Sequence, residues 1–132
     1  MRSSVLDSYA VLAYLFRERG YEAVVALLEK AAESGRNVFI AAPNWAEVRY
    51  QVQRKKSSAK WDEIRDKLLA LPIEVVAATQ ELAEVAGSIK ADRKMSLADC
   101  FAVALAKAHK AEVHTGNPEF KAVEHEVKVV WI

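Results

Sequence analysis

The sequence predicts an α/β layer fold built on a mostly parallel sheet. Three observations carry that reading. Short β-type runs alternate with longer segments of helical spacing along the whole chain. No Gly/Ser-rich linker and no repeat at a solenoid period divides the 132 residues, which hold only four glycines and three prolines. Finally, 52% of the residues are hydrophobic, enough for one sizeable core, so a single domain over 1–132 is expected.

Ser3 to Leu6 reads as the first strand, followed by a helix from about Ser8 to Arg19 and an interruption at Gly20. Tyr21, Val24, Val25 and Leu28 then fall on one helical face, and this helix ends near Ser34-Gly35, where glycine suits a left-handed cap. Asn37 to Ala41 is the second strand. Pro43 opens another helix, because its missing N–H is one that a first turn leaves unpaired anyway, and Trp45, Val48 and Val52 form its apolar stripe. After the turn-like Arg54 to Ser58, Trp61, Ile64, Leu68 and Leu71 restart the helical spacing until Pro72. Ile73 to Val76 is a short strand. Leu82, Val85, Ala86 and Ile89 mark a helix from about Thr79. Ser96 opens another, with Leu97, Cys100, Phe101, Ala104, Leu105 and Ala108 on one face. Glu112 to His114 and Val127 to Val130 complete about five strands, with six or seven helices between them.

Several classes are excluded early. No stretch reaches the roughly 18 to 20 apolar residues that span a bilayer. The start, Met1 to Asp7, meets an acid after two apolar residues, too soon for a secretory signal, so a cytoplasmic protein is expected. One cysteine, Cys100, closes no intrachain disulfide, and with three scattered histidines it falls short of a structural zinc set. Nineteen basic and eighteen acidic residues leave a formal charge of +1, which neither demands nor excludes a nucleic-acid partner.

The chemistry lies in acids at strand ends. Asp7 follows the first strand, Glu47 lies early in the helix after the second, and Thr115-Gly116-Asn117 follows the strand at Glu112. In an open parallel sheet these positions share the carboxyl edge, where ligands bind. Asp99 joins them if its helix starts at the same edge. Three carboxylates brought together repel one another unless a cation offsets their charge, and a hard divalent ion suits oxygen ligands and phosphodiester hydrolysis. Each acid also has a plainer role. Asp7 suits a helix cap, Glu47 the positive end of its helix, and Ser96 to Asp99 has capping-box spacing. Against this, Glu47 lies roughly 130° from the apolar stripe of its helix, free to point away from the core.

Val5-Leu6-Asp7-Ser8, Pro43-Asn44-Trp45-Ala46-Glu47-Val48, Met95 to Phe101 and Thr115 to Phe120 resemble, in order and spacing, the motifs of PIN-domain ribonucleases, and among them the small VapC-like toxins of prokaryotic toxin–antitoxin pairs. The resemblance spans nearly the whole chain. It implies a three-layer α/β/α fold and an endoribonuclease dependent on Mg²⁺ or Mn²⁺, inhibited by a cognate antitoxin and homodimeric. Asp7, Glu47 and Asp99 match the first three acids of the family's site. By that match Asp7 and Asp99 hold metal, and Glu47 orients or helps to activate water at it. Ser8 and Thr115 match supporting hydroxyls. Asn117 stands where the family has aspartate, and an amide offers an oxygen ligand with one charge fewer, so weaker metal binding is expected. Glu119, two residues on, compensates if its loop turns it inward.

From Arg49 to Lys67 seven basic residues (Arg49, Arg54, Lys55, Lys56, Lys60, Arg65, Lys67) face three acidic ones, which reads either as a phosphate-contacting rim or as a solvated helix pair. Arg93 and Lys94, just before the helix of Asp99, are candidate RNA contacts. Trp45 and Trp61 fall on apolar stripes and read as core or subunit-interface residues, while Cys100 and the three histidines read as structural. Trp131 and Ile132 suggest an end tied into the fold or covered by a partner. The alternative to an RNA-cleaving toxin is a PIN-like module that binds RNA or protein without turnover, with Asn117 in its favour. A receiver domain ranks below both, since Ser8 and not an acid follows Asp7, and a haloacid-dehalogenase-like phosphatase needs an acid where Tyr9 stands.

Overall fold

The computed structural model describes residues 2–132; Met1, where the short apolar lead begins, lies outside them. The elements run β1 (Ser4–Leu6), α1 (Ser8–Phe16), α2 (Tyr21–Ser34), β2 (Val38–Ala41), α3 (Ala42–Lys55), α4 (Ser58–Leu69), β3 (Ile73–Val76), α5 (Gln80–Asp92), α6 (Leu97–His109), β4 (Glu112–Thr115), a 3₁₀ helix (Pro118–Val123) and β5 (Val129–Trp131). The five strands lie in the order β3-β2-β1-β4-β5, and every pairing is parallel, not merely most of them.

Successive strand residues point to opposite faces, and both faces are covered, so the strands read as continuous apolar runs. Val5 packs with Val113, α5, α6 and Phe120 on one side. Leu6, Val38 and Ile40 pack with α1 to α4 on the other, where Trp61 is the largest fully buried side chain. The result is three layers, α/β/α. Among the described residues no helix is long and apolar enough to cross a membrane.

Local differences from the sequence reading have identifiable causes. The first helix stops at Phe16, short of Arg19, because Arg17 turns left-handed (φ 52°) and its N–H bonds the carbonyl of Ala13. Gly35 does take the left-handed cap (φ 66°), its N–H on Ala31 and Ala32. The last strand starts at Val129, since Val127 is still held in a turn by its N–H on the Val123 carbonyl at 3.0 Å. Helix α6 is not one-sided: residues 99–106 are all buried, while Leu97 and Ala108, both expected in its core stripe, are exposed. It runs through the middle of its layer, against α5, α3 and three strands, so small side chains are needed all round it. Val85, expected on the buried stripe of α5, is likewise exposed.

Candidate active site

The carboxyl edge of the sheet is where β1 and β4, the central neighbours, release their chains side by side. Asp7 leaves β1 and caps α1, its Oδ1 accepting the Ala10 N–H at 2.9 Å. Helix α3 starts immediately after β2 and carries Glu47 in its second turn, half-buried, with Oε1 accepting the Ser8 hydroxyl at 2.8 Å. The plain capping role and the clustering are therefore both true of Asp7, because the cap uses only one carboxylate oxygen.

Helix α6 does start at this edge. Asn117, just past β4, donates from Nδ2 to Asp99 Oδ2 at 3.1 Å. Its backbone N–H bonds Thr115 Oγ1 at 2.9 Å, and that hydroxyl donates to Asp7 Oδ2 at 2.5 Å. One short loop thus holds both aspartates. A second set of bonds closes a ring around the start of α6. Asn117 Oδ1 accepts the Glu119 N–H, Glu119 Oε1 accepts the Ser96 N–H, both at 3.0 Å, and Ser96 Oγ accepts the Asp99 N–H at 3.2 Å. Gly116 allows the loop to run this close: a Cβ there would enter the Tyr9 ring.

Burial and shared charge set the electrostatics. Asp7 is wholly buried, and desolvation pushes its carboxyl up to about 7. Hydrogen bonds from Thr115 and Ala10 work against that rise, whereas the Asp99 and Glu47 carboxylates add to it. Asp99 rises to about 6, again chiefly by desolvation, with Ser96 lowering it and Glu47 and Glu119 raising it. The acids feel one another, and among the described residues no cationic side chain is a leading influence on either aspartate.

That donor set fits a hard divalent cation: carboxylate oxygens that are buried, mutually repelling and without a counter-charge. Among the described residues no three acids are gathered into a ready-made cage, and each of these three spends an oxygen on a hydroxyl or amide. Asn117 does not fit as expected. Its oxygen faces the Glu119 N–H and its nitrogen faces Asp99, so it holds an acid in place where a ligand oxygen was anticipated. Glu119 is exposed and caps α6, yet lies close enough to Asp99 to act on its charge.

The candidate RNA contacts separate. Arg93 is engaged by Glu126, with Asp92 at 3.8 Å, while Lys107 reaches the same Glu126 at 2.9 Å, so the guanidinium is already paired within the fold. Lys94 is exposed and forms no ion pair among the described residues. Trp61 is core, as expected, and Trp45 packs edge-to-face on it at 5.3 Å, half-buried. Sequence reasoning missed Asn44. Its wholly buried amide has no hydrogen-bond partner among the described residues, one turn before Val48 on the buried side of α3. The available signal was an asparagine four residues before Val48, on that helix's core side.

Residues 4–126 match the family model of the PIN domain, and the chain belongs to that family. Its fold is similar to VapBC2 from Rickettsia felis, solved bound to a promoter DNA fragment (TM-score 0.74, 19% identity, 98% of each chain covered). It is also similar to DNA-bound VapBC from Salmonella typhimurium (TM-score 0.75, 14% identity, 99% of this chain and 98% of that one). A third similar structure is Mycobacterium tuberculosis VapC20, a toxin that cleaves the sarcin–ricin loop (TM-score 0.72, 15% identity, 92% and 95% covered). No curated protein matches by sequence.

Proposed function

We propose that the protein is a divalent-metal-dependent endoribonuclease, acting in the cytoplasm as a homodimeric VapC-like toxin that a cognate antitoxin inhibits. The observation that carries this reading is the pair of buried aspartates, Asp7 and Asp99, with half-buried Glu47 acting on both at the carboxyl edge of a PIN-family sheet. The toxin and antitoxin roles rest on the similarity of the whole chain to VapBC proteins.

Asp7 and Asp99 would hold Mg²⁺ or Mn²⁺ through their carboxylate oxygens, and the ion would supply acidification of water and an offset for charge developing on the phosphate. Ser8 fixes Glu47 through Oε1, which leaves Oε2 to orient the attacking water and accept its proton. Thr115 and Asn117 are positioning residues, one for Asp7 and one for Asp99. Lys94 contacts the RNA backbone; Arg93, once a candidate for the same role, holds the preceding loop through Glu126.

The test is cleavage of a mixed panel of structured RNAs with Mn²⁺ or Mg²⁺, against EDTA and Asp7→Asn. Cuts that need metal and vanish in both controls are expected. If nothing is cut, even by Asn117→Asp, the enzyme reading fails and the second reading takes its place: a PIN-like binding module, favoured by the amide that Asn117 turns toward Asp99.

A further inference from the structure

The basic run from Arg49 to Lys67 is not one surface but two. On α4 the cations are matched: Lys60 and Lys67 reach Glu63 at 3.3 and 3.5 Å, and Arg65 reaches Asp62 and Asp66 at 3.4 and 3.0 Å. That half is a solvated, self-neutralised helix face. Lys55, at the end of α3, is taken by Glu18 at 3.9 Å.

Arg49 and Arg54 differ from all of these. Both are exposed on α3, and among the described residues neither has an acidic partner. They rest on aromatic rings instead, Arg54 at 4.8 Å from the ring centre of Tyr50 and Arg49 at 5.9 Å from that of Trp61, with Arg49 Nε also on Gln53 at 3.3 Å. Tyr50 is 43% exposed, so an aromatic ring stands open to solvent between two guanidinium groups that no acid neutralises among the described residues. Ala46, Arg49, Tyr50, Gln53 and Arg54 line a shallow groove of about 270 Å³.

The groove adjoins the acid edge. Residues three and four apart on a helix are surface neighbours, so Glu47, Tyr50 and Arg54 form one ridge. At a rise of 1.5 Å per residue, Tyr50 lies about 4.5 Å and Arg54 about 10.5 Å along the axis from Glu47.

We propose that this ridge of α3 holds the single-stranded RNA next to the bond to be cut, with Tyr50 stacking an unpaired base and Arg54 and Arg49 contacting neighbouring phosphates. The inference rests on the nuclease reading for its substrate. What favours RNA is the pairing of unmatched positive charge with an open aromatic ring, the combination that single-stranded nucleic acid needs. Tyr50 selects for unstacked nucleotides, because a base within a duplex presents no free face.

Binding of a fluorescein-labelled single-stranded RNA is measured by anisotropy in EDTA, where no cutting occurs, over a salt series. Tyr50→Ala should weaken binding roughly 5- to 150-fold, the range for loss of one base stack, and Tyr50→Phe should restore it. Arg54→Ala should reduce the slope of log K against log salt by about 0.7. Lys60→Ala and Lys67→Ala on α4 should leave both quantities unchanged. Unaltered affinity and slope in Tyr50→Ala and Arg54→Ala overturn the proposal. So does a loss of self-association in Tyr50→Ala, read by sedimentation, with RNA affinity retained, which assigns the face to a second copy. Because binding is read without metal, the two readings fail separately. Protein that binds through Tyr50 and Arg54 but never cuts upholds the ridge and sinks the nuclease; protein that cuts but ignores both substitutions does the reverse.

Discussion

Asp7 and Glu126 are carboxylates of one small domain held in opposite ways. Glu126 sits between two cations: Lys107 and Arg93 bind it, and hydrogen bonding from Lys107 leads the effects that hold its carboxyl below the ordinary range. Among the described residues Asp7 has neutral donors and acidic neighbours, and burial pushes it up to about 7. The contrast separates two uses of charge. Glu126 ties the loop before α6 to the turn before β5 and needs nothing from outside. Asp7 and its neighbours carry charge that the fold itself does not balance, which is what a site for an external cation requires.

The strongest way to break this contrast is to neutralise each carboxylate in turn. Asp7→Asn should lower RNA cleavage by about 10³-fold or more, yet stabilise the metal-free protein at pH 8 by about 1–3 kcal/mol, because a buried charge is removed while Ala10 and Thr115 keep a partner. Cleavage assays and thermal melts in EDTA read the two effects. A variant that loses activity and stability together would contradict the opposition.

The pH dependence sharpens it. Asp7 has a higher pKa folded than unfolded, so its stabilising contribution is full below about pH 4 and lost as pH rises through about 7. His114 works the other way. Buried and bonded to Ser4 Oγ at 3.1 Å, it has a lowered pKa, so its contribution is full above about 6.5 and lost as pH falls toward its folded value. Metal-free wild type should therefore lose melting temperature between about pH 5 and 8, and Asp7→Asn, left with the smaller loss from Asp99 and the opposing gain from His114, should lose markedly less over the same interval. Adding Mn²⁺ at pH 8 should raise the wild-type melting temperature and leave Asp7→Asn unmoved.

Asn117→Asp tests whether the amide substitutes for missing positive charge. Loss of its bond to Asp99, with a further carboxylate nearby, should cost about 1–2 kcal/mol in EDTA. Calorimetric titration should show Mn²⁺ binding about tenfold tighter, and an unchanged titration would count against a charge-poor site. The smallest effect is expected at the balanced end: Glu126→Gln should lower stability by up to about 1 kcal/mol and leave cleavage as it was.

Much of the fold was legible because its signals are local. The alternation of strands and helices, the left-handed cap at Gly35 and the helix start at Ser96 follow from spacing and backbone chemistry. The burial of α6 on all sides was not legible, since a small-residue stripe looks alike whether one layer or three surround it. The site was half legible. Acids at strand ends can be counted in a sequence, and the resemblance ordered them, but the direction in which the Asn117 amide points is set by two contacts, Asp99 and Glu119, that only the folded chain brings together. Spacing also could not divide the basic run, because pairing within α4 and aromatic support on α3 depend on which way each helix faces.

The strand order has a consequence in time. β1 occupies the centre of the sheet, with β2 on one side and β4 on the other, although it comes first of the five in chain order. On the ribosome, residues 4–7 wait with one edge unpaired until residues 112–115 emerge. Until then Asp7 lacks Thr115, and the loop that anchors Asp99 does not exist. A nascent chain therefore carries two of its three acids early but assembles the acid edge only after β4 has been made.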